Sequence, residues 1–419
     1  MHRSSWSIDP FARGSFTFPA VGASPDHRAA LAKPVLDRMF FAGEATALTE
    51  PGTVQGARES GLRAATQLQE VSDPSERIVV VGAGIAGLTA ATRLREAGYD
   101  ITIVEARERV GGRIETITEG WPNPIELGPS FVLGSTESTL DEEFAALGVS
   151  TLPFSRVPEV HTRSREIVPL SPIGAEAVAE ALAFAATQPQ DESVERALVD
   201  SGESALSDSL DAEGLSDADW LEYEVSTRLK ITSGALPSEQ SAWYIPDAPA
   251  ATDDHIVVGG YASLLAADAA ALDVTMASVV TRIAYDENGV SLRLGAGEAL
   301  SADRVIITVP LGVLKDGAVE FSPELPFAHR GAIAAIGVGV LDKVWLRFEE
   351  PFWDTEAPLW TVVGTDTDFP VWVNMMPITG EPVLMGMVAA ENALRLAEAS
   401  DDVFLAAARH SLEPFRATT

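Results

Sequence analysis

Gly82, Gly84 and Gly87 stand in G-x-G-x-x-G spacing, and Glu105 follows about 20 residues later. The chemistry such a set can do is to hold a dinucleotide. The first glycine permits a sharp turn, the second lets backbone N–H groups approach a pyrophosphate, and the third lets a helix pack close to a sheet. The Glu105 carboxylate can accept both hydroxyls of a ribose. Gly111, Gly112 and Arg113 form a second turn whose N–H groups and guanidinium suit an anionic cofactor. These residues need a strand, a helix and a second strand to place them. Ile78 to Val81 is a short β-branched run of the kind buried on both faces of a sheet. Gly98 ends the following helix as its C′ residue, and Ile101 to Val104 is the next strand, with Glu105 at its tip. A plain βαβ crossover with packing glycines is the competing account, and it leaves the acidic residue unexplained. This unit alone leaves NAD and FAD both open.

Composition narrows the class. With 419 residues, 46% of them hydrophobic, the chain can bury a large core in two domains. The formal charge of −33 disfavours nucleic acid and anionic membrane as partners and could draw in cationic substrates, or serve solubility alone. Between Asp191 and Glu224, twelve carboxylates face one arginine, Arg196, which predicts a set of solvated helices. The absence of cysteine excludes disulfides, thiolate metal sites and a flavin attached through sulfur. Six scattered histidines predict no metal site. No basic-then-apolar leader opens the sequence, and the apolar run Gly331 to Leu341 is too short to span a bilayer. A soluble, cytoplasmic protein is expected.

The first 70 residues contain Trp6-Ser7-Ile8-Asp9-Pro10-Phe11-Ala12-Arg13-Gly14-Ser15-Phe16, then loops, then Arg38 to Thr46, which reads as a buried strand ending in a turn that carries Glu44. Pro51 to Ala57 opens a helix predicted to run to about Leu68, with Thr53 as N-cap and Ala57, Leu62, Ala65 and Leu68 on its packed face. Such an N-terminus attracts negative charge. Residues 135–250 show helical spacing, as at Ala175, Val178, Ala179 and Leu182. Asn288-Gly289 between two apolar runs predicts a hairpin, and Val305 to Val309 a buried strand stopped by Pro310.

Taken together, FFAGEAT…PGTVQGARESGLRAA, VVVGAGIAGLTAA…VEARERVGGR, IELGPS, VVGGYASL, VIITVPLGVLK and DKVWLRFEEPFW resemble the flavin-containing amine oxidases, a match spanning most of the chain. The resemblance implies an α/β fold: a Rossmann-like FAD-binding domain built from discontinuous segments, plus a substrate domain of mixed sheet and helices. Residues 31–133 and 253–310 would form the first, with 70–76 as a linker. Residues 1–30, 134–252 and 311–419 would form the second. In the family the GAGIAGL unit comes first and the FAGEAT unit near the end; here the order is reversed. That implies a circular permutation, natural or engineered, with a swap onto a second copy as the rival. Seven linker residues reach about 25 Å at most, enough for neighbouring termini.

The same resemblance assigns roles. Lys343 matches the lysine that holds a water at flavin N5 and assists reoxidation; a strand-end lysine pointing to solvent is the alternative. Gly43 and Glu44 would lie near the ribityl–pyrophosphate part of FAD, and Thr53 and Val54 against the pyrimidine end of the ring. Val280 would meet the adenine, while Arg107, Pro310 and the turn Gly128-Pro129-Ser130 complete the cofactor set. For substrate, Phe16 and Thr53 occupy the places of the family's two aromatic cage residues, so the cage is half built. Trp6 and Phe131 would add walls, and Leu133 stands where some polyamine oxidases carry a carboxylate. An amine with an apolar or aromatic tail is expected. Its α-carbon would give hydride to FAD, with oxygen as second substrate, peroxide as product and a homodimer as the one assembly considered. The alternatives are another FAD oxidoreductase of this fold (amino-acid oxidase, desaturase or porphyrinogen oxidase type) and a non-catalytic flavoprotein.

Overall fold

In the computed structural model, residues 1–134, 139–246 and 254–417 are described. Parts of the predicted helical insertion, 135–138 and 247–253, and Thr418 and Thr419 lie outside them. The glycine motif sits on a five-stranded sheet, all parallel, in the order Val274–Thr275, Asp100–Val104, Arg77–Val81, Arg304–Ile307, Met39–Phe41. Both faces are covered, as the unbroken β-branched runs require. Phe40, Ile78, Val80 and Ile306 pack under helices, while Met39, Phe41, Val79, Val305 and Ile307 pack on the opposite side. There they meet the hairpin Val280–Tyr285 and Val290–Leu294, which turns at Asn288-Gly289.

Within the first 69 residues, the strand Met39–Phe41 joins this sheet in the same chain. Met39 pairs with Val305, and the helix Val54–Gln69 packs beside the motif helix Ile85–Glu96. Their approach is close enough that a Cβ on Gly61 would stand 2.3 Å from the Ala86 carbonyl oxygen. Thr53 caps the first of these helices by accepting from the Gly56 N–H at 3.0 Å. One detail of its predicted face is corrected: Leu62 is exposed, and Ser60, Gly61 and Ala64 take the buried positions because the neighbouring helix leaves room only for small side chains.

A second, seven-stranded sheet runs in the order His2–Arg3, Leu341–Arg347, Val383–Ala389, Val371–Asn374, Leu359–Val363, Glu159–Thr162, Ile167–Val168. Asp342 anchors its edge. The buried carboxylate accepts from Ser4 Oγ at 2.8 Å and from the Trp6 N–H at 3.0 Å, tying the opening residues to the strand that carries Lys343. The helix Ile173–Ala185 buries Gly174, Ala177, Val178, Ala181 and Ala185 rather than the predicted Ala175 and Ala179, which are exposed. A run of alanines offers little contrast between faces, and the close crossing with Trp220 selects Gly174. The acidic stretch forms the helices Val194–Ser201 and Asp217–Glu224, but Glu224 is buried, not solvated.

Candidate active site

A cavity of about 1280 Å³ opens where the parallel strands end, at Val81, Val104 and Thr308, and is closed from the other side by the large sheet. The structure brings almost all the sequence-predicted residues to its wall. Gly82, Gly84, Glu105, Arg107, Gly111, Gly112, Arg113, Gly43, Glu44, Thr53, Val54, Val280 and Pro310 line one part. Gly128, Pro129, Ser130, Phe131, Leu133, Phe16, Trp6 and Lys343 line another. Gly87 is the exception, and its assignment to the cofactor is corrected. It does not reach the cavity; a Cβ there would stand 2.0 Å from the Gly82 carbonyl oxygen, so it is a packing glycine that lets the helix close onto the turn.

Gly84 differs in kind. Its φ is −74°, open to any residue, and a Cβ would meet nothing nearer than the Gly111 carbonyl oxygen at 3.9 Å. Nothing in the protein demands glycine at this cavity wall, whereas a pyrophosphate lying against the backbone does. The helix N-termini at Ile85 and Val54, and the Gly111-Gly112 turn paired with Gly84, bring their backbone to the same wall, where helix ends favour negative charge. Buried Glu105 accepts from the N–H groups of Ala83, at 2.7 Å, and Arg107, at 2.8 Å. That fixes its oxygens at the strand tip with lone pairs to spare for ribose hydroxyls. These groups fit an extended, doubly phosphorylated dinucleotide.

Other assigned residues prove to be one another's partners. Glu44, buried, accepts from Thr17 Oγ1 at 2.6 Å, the Gly52 N–H at 3.0 Å and Arg113 Nη1 at 3.1 Å. Arg28 in turn donates to Thr17 Oγ1 at 2.7 Å. Arg107 grips Asp9 through both terminal nitrogens, at 2.7 and 3.0 Å. The opening segment is thus held to the motif by charge as well as by the sheet. Glu44→Gln should lower the unfolding free energy by about 2–3 kcal/mol, because Arg113 loses its carboxylate and a buried acceptor becomes partly a donor. Denaturant titration of flavin-free protein measures this.

Lys343 is 5% exposed and donates to the Gly128 carbonyl and, at 2.6 Å, to Ser130 Oγ. Burial pushes its ammonium down to about 8, and the negative charge of Glu126 opposes that shift. Glu126 itself is pushed up to about 7 by burial, against the N–H of Tyr261, the hydroxyl of Thr116 and the charge of Lys343. The solvent-facing alternative for Lys343 does not hold. Trp6 is wall and core together, its indole N–H donating to the Leu127 carbonyl at 3.1 Å.

Sequence reasoning missed several lining residues: Arg28, Arg156, Tyr223, Glu224, Arg228 and Thr308. Asp9 and Glu126 sat inside recognised blocks without being singled out. Thr308 likewise sat inside the VIITVPLGVLK block; the others lie in stretches that carry no motif, and only the fold brings them to the cavity.

The comparisons agree with this geometry. The family described as "Flavin containing amine oxidoreductase" matches residues 1–69 and 85–417, and "Pyridine nucleotide-disulphide oxidoreductase" matches 43–121. Polyamine oxidase 4 of Oryza sativa subsp. japonica is 31% identical over 354 residues, 80% of this chain and 71% of that protein. Lysine-specific histone demethylase 1 homolog 2 of the same plant is 28% identical over 424 residues, 96% of this chain and 53% of that one. A solved structure of putrescine oxidase bound to putrescine shares the fold, with a TM-score of 0.61, 22% identity and 82% of each chain covered. With that match along nearly its whole length and a wall shaped for the dinucleotide, the chain belongs to the flavin containing amine oxidoreductases, with FAD as its cofactor and amine oxidation as its activity.

Proposed function

We propose that the chain oxidises a primary or secondary amine with molecular oxygen as the second substrate. FAD, which the glycine turns and Glu105 would hold, would supply the two-electron oxidation of the amine α-carbon with oxygen as acceptor, so that the products would be hydrogen peroxide and an imine that water hydrolyses to an aldehyde. The residues of this chain bind, orient and desolvate. Phe16, Phe131, Leu341, Val371, Val373 and Met387 supply apolar wall on which an amine can shed its water. Lys343 is the proposed reoxidation residue: a buried cation on the strand Leu341–Arg347, steered by Gly128 and Ser130, at the cavity wall. That buried lysine is the observation that carries the reading.

The two segments matched by the family are read as circularly permuted. What supports this is that Met39–Phe41, within the matched residues 1–69, fills the sheet position beside Arg304–Ile307 in its own chain. A homodimer and a cytoplasmic setting belong to the same proposal.

The amine must be neutral to react, and Lys343 loses its charge through about 8. Flavin reduction should therefore rise as pH goes from 7 to 9 because the amine loses its proton, while the loss of charge on Lys343, a neighbouring cation that favours the neutral amine, works against that rise. Anaerobic stopped-flow bleaching over that range, with peroxide release measured over an amine panel, tests the proposal. A flat profile, or no peroxide with any amine, contradicts it.

A further inference from the structure

The part of the cavity beyond Phe131 carries charges that an apolar amine does not need. Arg156 gives its Nε to Asp254 and lies over the Phe131 ring, 5.9 Å from its centre. Phe131 follows Ser130, the residue that Lys343 holds, and Arg156 lines the same cavity beyond that ring. Arg228 gives its Nε to Glu224, and both line the same cavity. Neither guanidinium places its terminal N–H groups on an acceptor among the described residues. Arg228 rides on the π-helical turn Val225–Leu229, between the helices Asp217–Glu224 and Lys230–Ser233. Such an insertion weakens the helix ladder locally and recurs where a site needs a side chain re-aimed.

Set against these two forks and the Lys343 cation, the acids beyond Phe131 are Glu224 and Asp254, each already engaged by an arginine Nε. A second ammonium, as in a diamine, would find both of these carboxylates already engaged by an arginine. A carboxylate would find two planar forks with paired N–H donors, the geometry that binds it bidentately. We propose that the amine substrate carries a carboxylate at its far end, gripped by Arg156 and Arg228; this rests on the amine-oxidation reading above.

The test uses the FAD-loaded enzyme with three amines of equal chain length: δ-aminovalerate, pentylamine and cadaverine. The expected result is a kcat/KM for δ-aminovalerate about tenfold or more above the other two, one fork–carboxylate contact being worth at least that. Arg228→Gln and Arg156→Gln should each raise its KM about tenfold and erase that advantage, while kcat falls less. Valerate, which cannot be oxidised, should perturb the flavin absorbance of the wild type and not of the double variant. Preference for cadaverine or pentylamine, or valerate binding that ignores both substitutions, overturns the proposal. Valerate bound through the arginines with none of the amines oxidised would instead fail the oxidation reading and leave the carboxylate site standing.

Discussion

Gly84→Val should yield a folded protein that has lost its colour. A side chain at Gly84 has room within the protein, since its first carbon meets only Gly111 at 3.9 Å, but it fills the space where a pyrophosphate must lie against the backbone. Flavin content should fall at least tenfold while the denaturant midpoint of the flavin-free protein stays near that of the wild type. Gly87→Val should fail differently. Its Cβ would stand 2.0 Å from the Gly82 carbonyl oxygen, and backbone cannot swing away as a side chain can. The helix must lift off the sheet, at a cost of about 3 kcal/mol, so stability and flavin are lost together. Gly98→Asn is the matching control. Its φ of +90° suits asparagine among the non-glycine residues, no atom lies within 4 Å, and neither quantity should move much. Flavin absorbance and unfolding curves on the same preparations separate the three. If Gly84→Val keeps its flavin, the dinucleotide does not lie where the glycines place it.

Lys343→Met should slow reoxidation of the reduced enzyme by oxygen on the order of a hundredfold, the typical worth of a placed acid–base group. Methionine keeps the length and relieves the protein of a buried charge, so the fold should survive or gain. The Gly128 carbonyl and Ser130 hydroxyl lose a donor. The pH profile distinguishes a chemical role from a packing one. In the wild type, the step that depends on Lys343 should change through about 8, and in the variant that inflection should vanish. Double-mixing stopped flow, reducing with amine and then adding oxygen, reads it directly. Reoxidation at the wild-type rate would leave Lys343 a structural cation and no more.

Much of this site was legible before any coordinates. The glycine spacing, the strand–helix–strand frame and Glu105 are local features, because a βαβ unit is specified by residues within one short stretch. The N-cap at Thr53, the left-handed Gly98 and the hairpin at Asn288-Gly289 are equally local, since each depends on a backbone conformation that few residue types adopt. The phase of the alanine-rich helix Ile173–Ala185 was not legible, because Ala175 and Ala177 differ only in what lies beside them.

By itself, the sequence determined that a dinucleotide would be held, and it singled out turns and a lysine that the fold brings to one cavity. Only the tertiary structure decided that Glu44 answers Arg113 and that Asp9 answers Arg107. It alone brought Arg156, Glu224 and Arg228 to one cavity. The reason is physical. A turn or cap is settled by φ, ψ and neighbours a few residues away, whereas a charge partner or a cavity wall is settled by which distant surfaces exclude water from each other, and no local spacing encodes that.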